Sequence, residues 1–154
     1  PFDGEGLPTA ERAIIDDGIL TGWLMESASA RQLGLTPTGH AARGVSGPPG
    51  AGTSNLHMAA GTTSRADMIG SIKYGLYVTE MIGMGVNGLT GDYSRGPSGF
   101  LIENGELTVP VAEVTIAGKL KDMFRAIVPA DDLEFRYATN VPTLRIDGMT
   151  LAGA

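Results

Sequence analysis

The sequence predicts an α+β fold, mainly antiparallel β hairpins and sheet, with about three short helices. Three observations carry that prediction. The 154 residues include 23 glycines and 9 prolines with no collagen-like period, a composition that favours short strands joined by tight turns. Two apolar runs each surround a pair of turn residues, Asp17-Gly18 and Asn104-Gly105, and such pairs favour a type I′ hairpin because both central positions take positive φ. Helical spacing of apolar residues is confined to a few short segments.

Taken in order, residues 12–25 (RAIIDDGILTGWLM) read as a hairpin about Asp17-Gly18. The small-residue segment SASARQLG reads as a short helix ending at Gly34, where a C-cap places a left-handed residue. Residues 36–55 have no hydrophobic period and many glycines and prolines, and read as a long loop, functional or mobile. Ser64 and Asp67 resemble a capping box, and Met68, Ile69 and Ile72 follow at helical spacing, so a helix is expected over about residues 65–74.

LYVTEMIGMGV reads as a strand leading into residues 86–105, VNGLTGDYSRGPSGFLIENG. Here a glycine-rich loop carrying Asp92, Tyr93, Ser94 and Arg95 is expected to run into an apolar strand. Residues 100–117 read as a second hairpin about Asn104-Gly105, with Pro110 marking an edge or a bulge because it cannot donate to a ladder. Leu120, Met123, Phe124, Ile127 and Val128 have the spacing of one buried helix face. LEFRYATNVPTLRIDGMTLAG closes the chain with two or three further strands. The two hairpins share a pattern, Ile15 to Thr21 (IDDGILT) echoing Ile102 to Thr108 (IENGELT). Either an ancient duplication or the ordinary chemistry of hairpins accounts for it.

At this length one domain with a real core is expected, spanning residues 1–154. Hydrophobic residues at 42% and charged residues at 18% are close to globular averages and argue against wholesale disorder. The net charge of −6, with basic residues scattered among acidic ones, argues against direct nucleic-acid binding, which needs clustered Lys and Arg to displace counterions. No apolar run is long enough to span a membrane, and no basic amphipathic face suits one. The absence of cysteine excludes disulfides and thiolate metal sites, and fits a cytoplasmic location. The chain opens on Pro1-Phe2, without a methionine or a signal-peptide pattern, and reads as a fragment of a longer protein.

A zinc peptidase presents His-Glu-x-x-His or a close relative on a helix, so that two imidazoles converge on the metal and the glutamate activates its water. Nothing of the kind occurs, and the two histidines, His40 and His57, stand on loop-like sequence without a carboxylate at ligand spacing. Ser94 and Ser98 sit among glycines, but the windows DYSRG and GPSGF are not nucleophile elbows. GPPGAG and GLTGDYSRG lack the Gly-Lys-Ser/Thr ending or the strand–helix context of phosphate-binding loops. Asp92 and Arg95 then have two readings. They order their own segment through an Asx-turn and carbonyl bridging, or they contact a substrate or a subunit.

The signature GLTGDYSRGPSGF, the following IENGELTVPVAEVTIAGKLKDMFRAI and the closing PTLRIDGMTLAG together resemble the C-terminal portion of the PmbA/TldE branch of the TldD/PmbA family. That family is described as modulators of DNA gyrase, and its TldD branch is a metalloprotease. The resemblance implies a non-catalytic subunit that pairs with a TldD-type metallopeptidase subunit, which processes unfolded peptides, with zinc expected in the partner and none in this domain. A homo- or hetero-oligomer is expected. In the TldD branch the resemblance implies an upstream histidine pair and a cysteine ligand near the C-terminus, whereas Leu133 to Pro142 here hold no cysteine. Pro37-Thr38-Gly39 and Arg43 resemble the family's loop before Asn55-Leu56, adding Arg43 to Asp92, Tyr93, Ser94 and Arg95 as candidate substrate or partner contacts. The competing expectation is a regulatory protein that binds gyrase and has no peptidase role.

Overall fold

The computed structural model describes residues 1–153. By contact the chain divides into two compact units, Pro1–Leu56 with Tyr137–Thr139, and His57–Arg136 with the C-terminal segment from Asn140.

In the first unit, strands β1 (Ile15–Asp16) and β2 (Ile19–Leu20) pair antiparallel about a turn in which Asp17 and Gly18 have φ of 46° and 76°. Positive φ at both positions is the type I′ geometry that the Asp-Gly pair favours. Thr21 extends the hairpin, its N–H donating to the Ile14 carbonyl at 3.0 Å. Helix α1 (Ser27–Leu33) starts at Glu26, whose carboxylate accepts from the Ser29 N–H and hydroxyl at 2.9 and 2.6 Å. It stops at Gly34, with φ of 67°, as the C-cap expectation requires. The segment expected to be a long loop is largely irregular, apart from the two-residue strands β3 (Ala41–Ala42) and β4 (Gly50–Ala51), which pair with each other. Asp3 anchors this region, its carboxylate accepting from the N–H groups of Glu5, Leu7 and Ala41.

Strands β5 (Leu56–His57) and β11 (Thr139–Asn140) each fall where the chain passes between units. The second unit contains α2 (Arg65–Gly70), β6 (Tyr74–Ile82), β7 (Asp92–Glu103), β8 (Glu106–Val111), β9 (Thr115–Lys119), α3 (Leu120–Ala126), β10 (Ile127–Pro129), β12 (Leu144–Ile146) and β13 (Thr150–Ala152). Five of these strands form an antiparallel sheet in the order β13-β9-β7-β6, with β8 also on β7. Ile102 on β7, Val114, Ile116, Met68 and Met123 are buried and form the core of this unit. Ser64 caps α2 by accepting from the Asp67 N–H at 3.0 Å. Asp132 steadies the β10–β12 pair, accepting from the Thr143 N–H and hydroxyl at 2.7 Å each.

The Asn104-Gly105 hairpin forms as expected, with φ of 50° and 84°. Pro110 lies opposite Phe100, beside a register shift between Phe100 and Ile102. Three expectations are corrected. Residues 92–99 are strand, not loop, because hydrogen-bonded neighbours on β6 and β9 impose extension on a sequence with little β propensity of its own. Gly99 permits the close approach, since a Cβ there would lie 1.9 Å from the Tyr77 carbonyl oxygen. Helix α3 ends at Ala126, and Ile127 and Val128 pair instead with Ile146 and Arg145. Both are β-branched, and the position before Pro129 disfavours helix; Phe124 is 65% exposed rather than buried. Helix α2 ends at Gly70, short of residue 74, because β6 claims the chain from Tyr74.

Candidate contact surface on strand β7

Four of the five candidate residues are consecutive on β7, where Asp92, Tyr93, Ser94 and Arg95 pair with Lys119, Gly118, Ala117 and Ile116 of β9. Strand alternation sends successive side chains to opposite faces. Asp92 and Ser94 are accordingly exposed, while Tyr93 and Arg95 are half-buried. The Asp92 carboxylate forms an ion pair with Lys119 and accepts the Thr90 hydroxyl. The Lys119 contact first, and the Thr90 hydrogen bond next, hold this carboxyl below the usual aspartate range. The Tyr93 hydroxyl donates to the Met81 sulfur at 3.1 Å. Arg95 donates from one terminal nitrogen to the Met81 carbonyl at 3.3 Å, while its buried Nε has no hydrogen-bond partner.

The true loop of this region, residues 83–91, folds back onto the strand. The Ser94 N–H donates to the Gly85 carbonyl at 2.7 Å, and the Asn87 N–H to the Asp92 carbonyl at 2.9 Å. Gly85 is required at this approach, because a Cβ there would lie 1.7 Å from the Ser94 carbonyl oxygen. Asn87 closes an Asx-turn, its side-chain oxygen accepting from the N–H groups of Leu89 and Thr90 at 2.9 and 3.1 Å. On this tied backbone Met84 and Leu89 are 97% and 99% exposed. Large apolar side chains presented on an ordered loop suit contact with another surface, since little conformational freedom is left to lose on binding. These two were missed in the sequence, where the available signal was a solitary apolar residue within each glycine cluster, GMG and NGLTG.

Arg43 belongs to the first unit, beyond β3, and its guanidinium makes no hydrogen bond or ion pair among the described residues. Ser94 has no histidine among its hydrogen-bond partners. The two histidines are engaged locally. His40 Nδ1 lies 2.7 Å from the Thr38 carbonyl, and the His57 ring meets Phe135 edge-on at 5.2 Å. Among the described residues no three of His, Cys, Asp and Glu converge on a position that could hold a metal ion. A concave feature lies elsewhere on the second unit, an open groove of about 580 Å³ lined in part by Ile72, Lys73, Asn104 and Arg145. The Arg145 guanidinium there is already closed onto Asp147 at 2.9 and 3.0 Å and onto Ser71 at 2.8 Å. Among the described residues no helix is long and apolar enough to cross a membrane.

Residues 1–153 match the family model described as the PmbA/TldA metallopeptidase C-terminal domain. The metalloprotease PmbA of Escherichia coli O157:H7 is 47% identical over 154 residues, covering 99% of this chain and 32% of that protein. A metalloprotease TldD homologue of Haemophilus influenzae is 30% identical over 169 residues, covering 99% and 35%. The crystal structure of TldE from Thermococcus kodakarensis superposes with a TM-score of 0.88 at 25% identity, covering 99% of this chain and 36% of that one. The chain therefore spans about a third of the length of these relatives.

Proposed function

The chain belongs to the PmbA/TldD family of metallopeptidase-related proteins, and on that premise we propose that it is the C-terminal domain of a PmbA/TldE-type, non-catalytic subunit. That subunit pairs in the cytoplasm with a TldD-type metallopeptidase subunit. The partner holds the zinc and supplies the general base, while this domain helps shape the chamber that receives an unfolded peptide. The observation that carries the branch assignment is the gap between 47% identity to a PmbA protein and 30% to a TldD homologue. The donor chemistry supports it, since a catalytic zinc takes three protein ligands and each of this chain's two histidines is engaged locally.

The Asp92–Arg95 segment of β7, with Asp92 and Ser94 on its exposed face and Tyr93 and Arg95 on the other, together with the loop bearing Met84 and Leu89, is the proposed contact with the partner or with the peptide it receives. Arg43 is a further contact candidate from the first unit. Neither nucleic acid nor membrane is a direct partner in this reading. Co-purification of the tagged protein, with zinc analysis of each component, tests it. A stoichiometric TldD-type subunit carrying the zinc is expected. Zinc held by this chain, or gyrase recovered in place of a peptidase subunit, would overturn the proposal.

A further inference from the structure

Helix α3 buries Met123 and half-buries Leu120 and Ala126, which leaves its other side to solvent. Lys121, Phe124 and Arg125 stand on that side at i, i+3 and i+4, the spacing that makes helix residues neighbours. All three are exposed, Phe124 at 65%. Among the described residues neither Lys121 nor Arg125 forms an ion pair or a side-chain hydrogen bond. Asp122, the one acid on the helix, lies about 160° round the axis from Phe124. Lys119, just before the helix, is taken up by Asp92. The outer face of α3 is therefore an uncovered aromatic ring beside two cations that no carboxylate neutralises.

Two properties set this face apart from ordinary solvated surface. The chain as a whole carries a net charge of −6, so two unpaired cations on one helical turn run against its average. Phe and Arg are also residue types enriched at the centres of interfaces. An occupant has to bring carboxylates to the cations and an apolar group to the ring. Nucleic acids and anionic membranes are extended polyanions, and would meet repulsion from the acidic remainder of the chain. A short acidic peptide covers the face alone. The spacing suits one. Lys121 and Arg125 are about 6 Å apart along the helix axis, and side chains two residues apart on an extended peptide are about 6.6 Å apart. We propose that the outer face of α3, through Lys121, Phe124 and Arg125, binds an acidic peptide segment that carries two carboxylates two residues apart with an apolar residue beside them. The inference uses a different element from the proposed β7 contact and does not rest on the metallopeptidase reading.

Fluorescence anisotropy of an end-labelled peptide containing Glu-Leu-Glu-Leu, titrated with the native protein, tests this. Saturable binding is expected, weaker as salt rises. Phe124→Ala and Lys121→Glu/Arg125→Glu should each weaken it about tenfold or more. All three positions are exposed, so the melting temperature should hold in both variants. Phe124→Tyr, which keeps the ring, should keep the binding, which distinguishes a lost anchor from a disturbed helix. Peptides with Gln-Leu-Gln-Leu or Lys-Leu-Lys-Leu in the same frame should not bind. No binding of the acidic peptide, binding that survives the charge reversal, or equal binding of the Gln-Leu-Gln-Leu peptide would each overturn the inference. Duplex DNA or phosphatidylglycerol vesicles held through this face in place of the peptide would overturn it too, as would a doubled chain mass that Phe124→Ala abolishes.

Discussion

The β1–β2 and β7–β8 hairpins share a seven-residue pattern, IDDGILT and IENGELT, with four identical positions, and reach the same turn, yet their surroundings have little in common. Asp17-Gly18 and Asn104-Gly105 both hold two consecutive positive φ angles. Around the first, each strand is two residues long and Ile15, Ile19 and Leu20 are exposed. Around the second, β7 runs for twelve residues within a five-stranded sheet, Ile102 is 2% exposed, and a Cβ on Gly105 would meet the Gly70 carbonyl oxygen at 2.6 Å. Turn chemistry is thus local and transferable, whereas strand length and energetic weight are set by what packs against the hairpin.

The largest expected difference between the two comes from their equivalent isoleucines. Ile102→Ala should destabilise by about 3 kcal/mol, through lost burial and a residual cavity, while Ile15→Ala at its exposed position should stay within about 0.5 kcal/mol. Denaturant titration of both variants measures this, and equal losses would erase the distinction. Next come the turn glycines. Gly105→Val combines the strain of a β-branched residue at positive φ with collision against the end of α2, and should cost about 3 kcal/mol or more. At Gly18 an added Cβ meets nothing within 4 Å, and Gly18→Val should cost mainly the strain, about 1 kcal/mol. Thermal melts that ranked them the other way would mean that the α2 contact yields freely.

The smallest effect is electrostatic. Asp92 beside β7 has its pKa lowered by Lys119 and then Thr90, and Glu26 in the first unit has its own lowered mainly by the Ser29 hydroxyl. A folded-state pKa below the unfolded value contributes stability above the unfolded pKa, and that contribution is lost as pH falls through the folded one. Melting temperature should therefore decline on acidification below the ordinary carboxylate range, and Asp92→Asn should remove a small part of that decline. The Asp92 part should shrink with added salt, because both members of its ion pair are more than half exposed. A salt-independent contribution would contradict the solvent-screened pair.

Both I-acid-Asp/Asn-Gly turns were legible because positive φ is a property of those residue types in isolation. The same holds for the α1 stop at Gly34 and the Ser64 cap of α2. What could not be read depends on partners distant in sequence. Apart from Tyr93, little within DYSRGPSG favours a strand, and its extension comes from β6 and β9. Lys119, which pairs with Asp92, lies 27 residues away. The buried helix face projected through Val128 failed at Ala126 because β12, further along the chain, takes Ile127 and Val128 into a ladder. At the candidate site the residue types Asp92 to Arg95 were legible and their setting was not. Met84, expected at the end of a strand that in fact stops at Ile82, and Leu89, expected in a loop, stand out only once the Asn87 and Gly85 contacts tie the loop down.

The contrast also separates a hairpin that only completes its own unit from a strand proposed to meet another subunit. Affinity for a TldD-type subunit, measured on the native protein and on Asp92→Ala/Arg95→Ala with the melting temperature of each, tests that proposal most directly. Removing both charged side chains from a segment engaged in binding should weaken affinity about tenfold or more, roughly 1.4 kcal/mol, in a protein that remains folded. A lowered melting temperature with unchanged affinity would show instead that these residues order only their own strand, and would contradict the contact role assigned to β7.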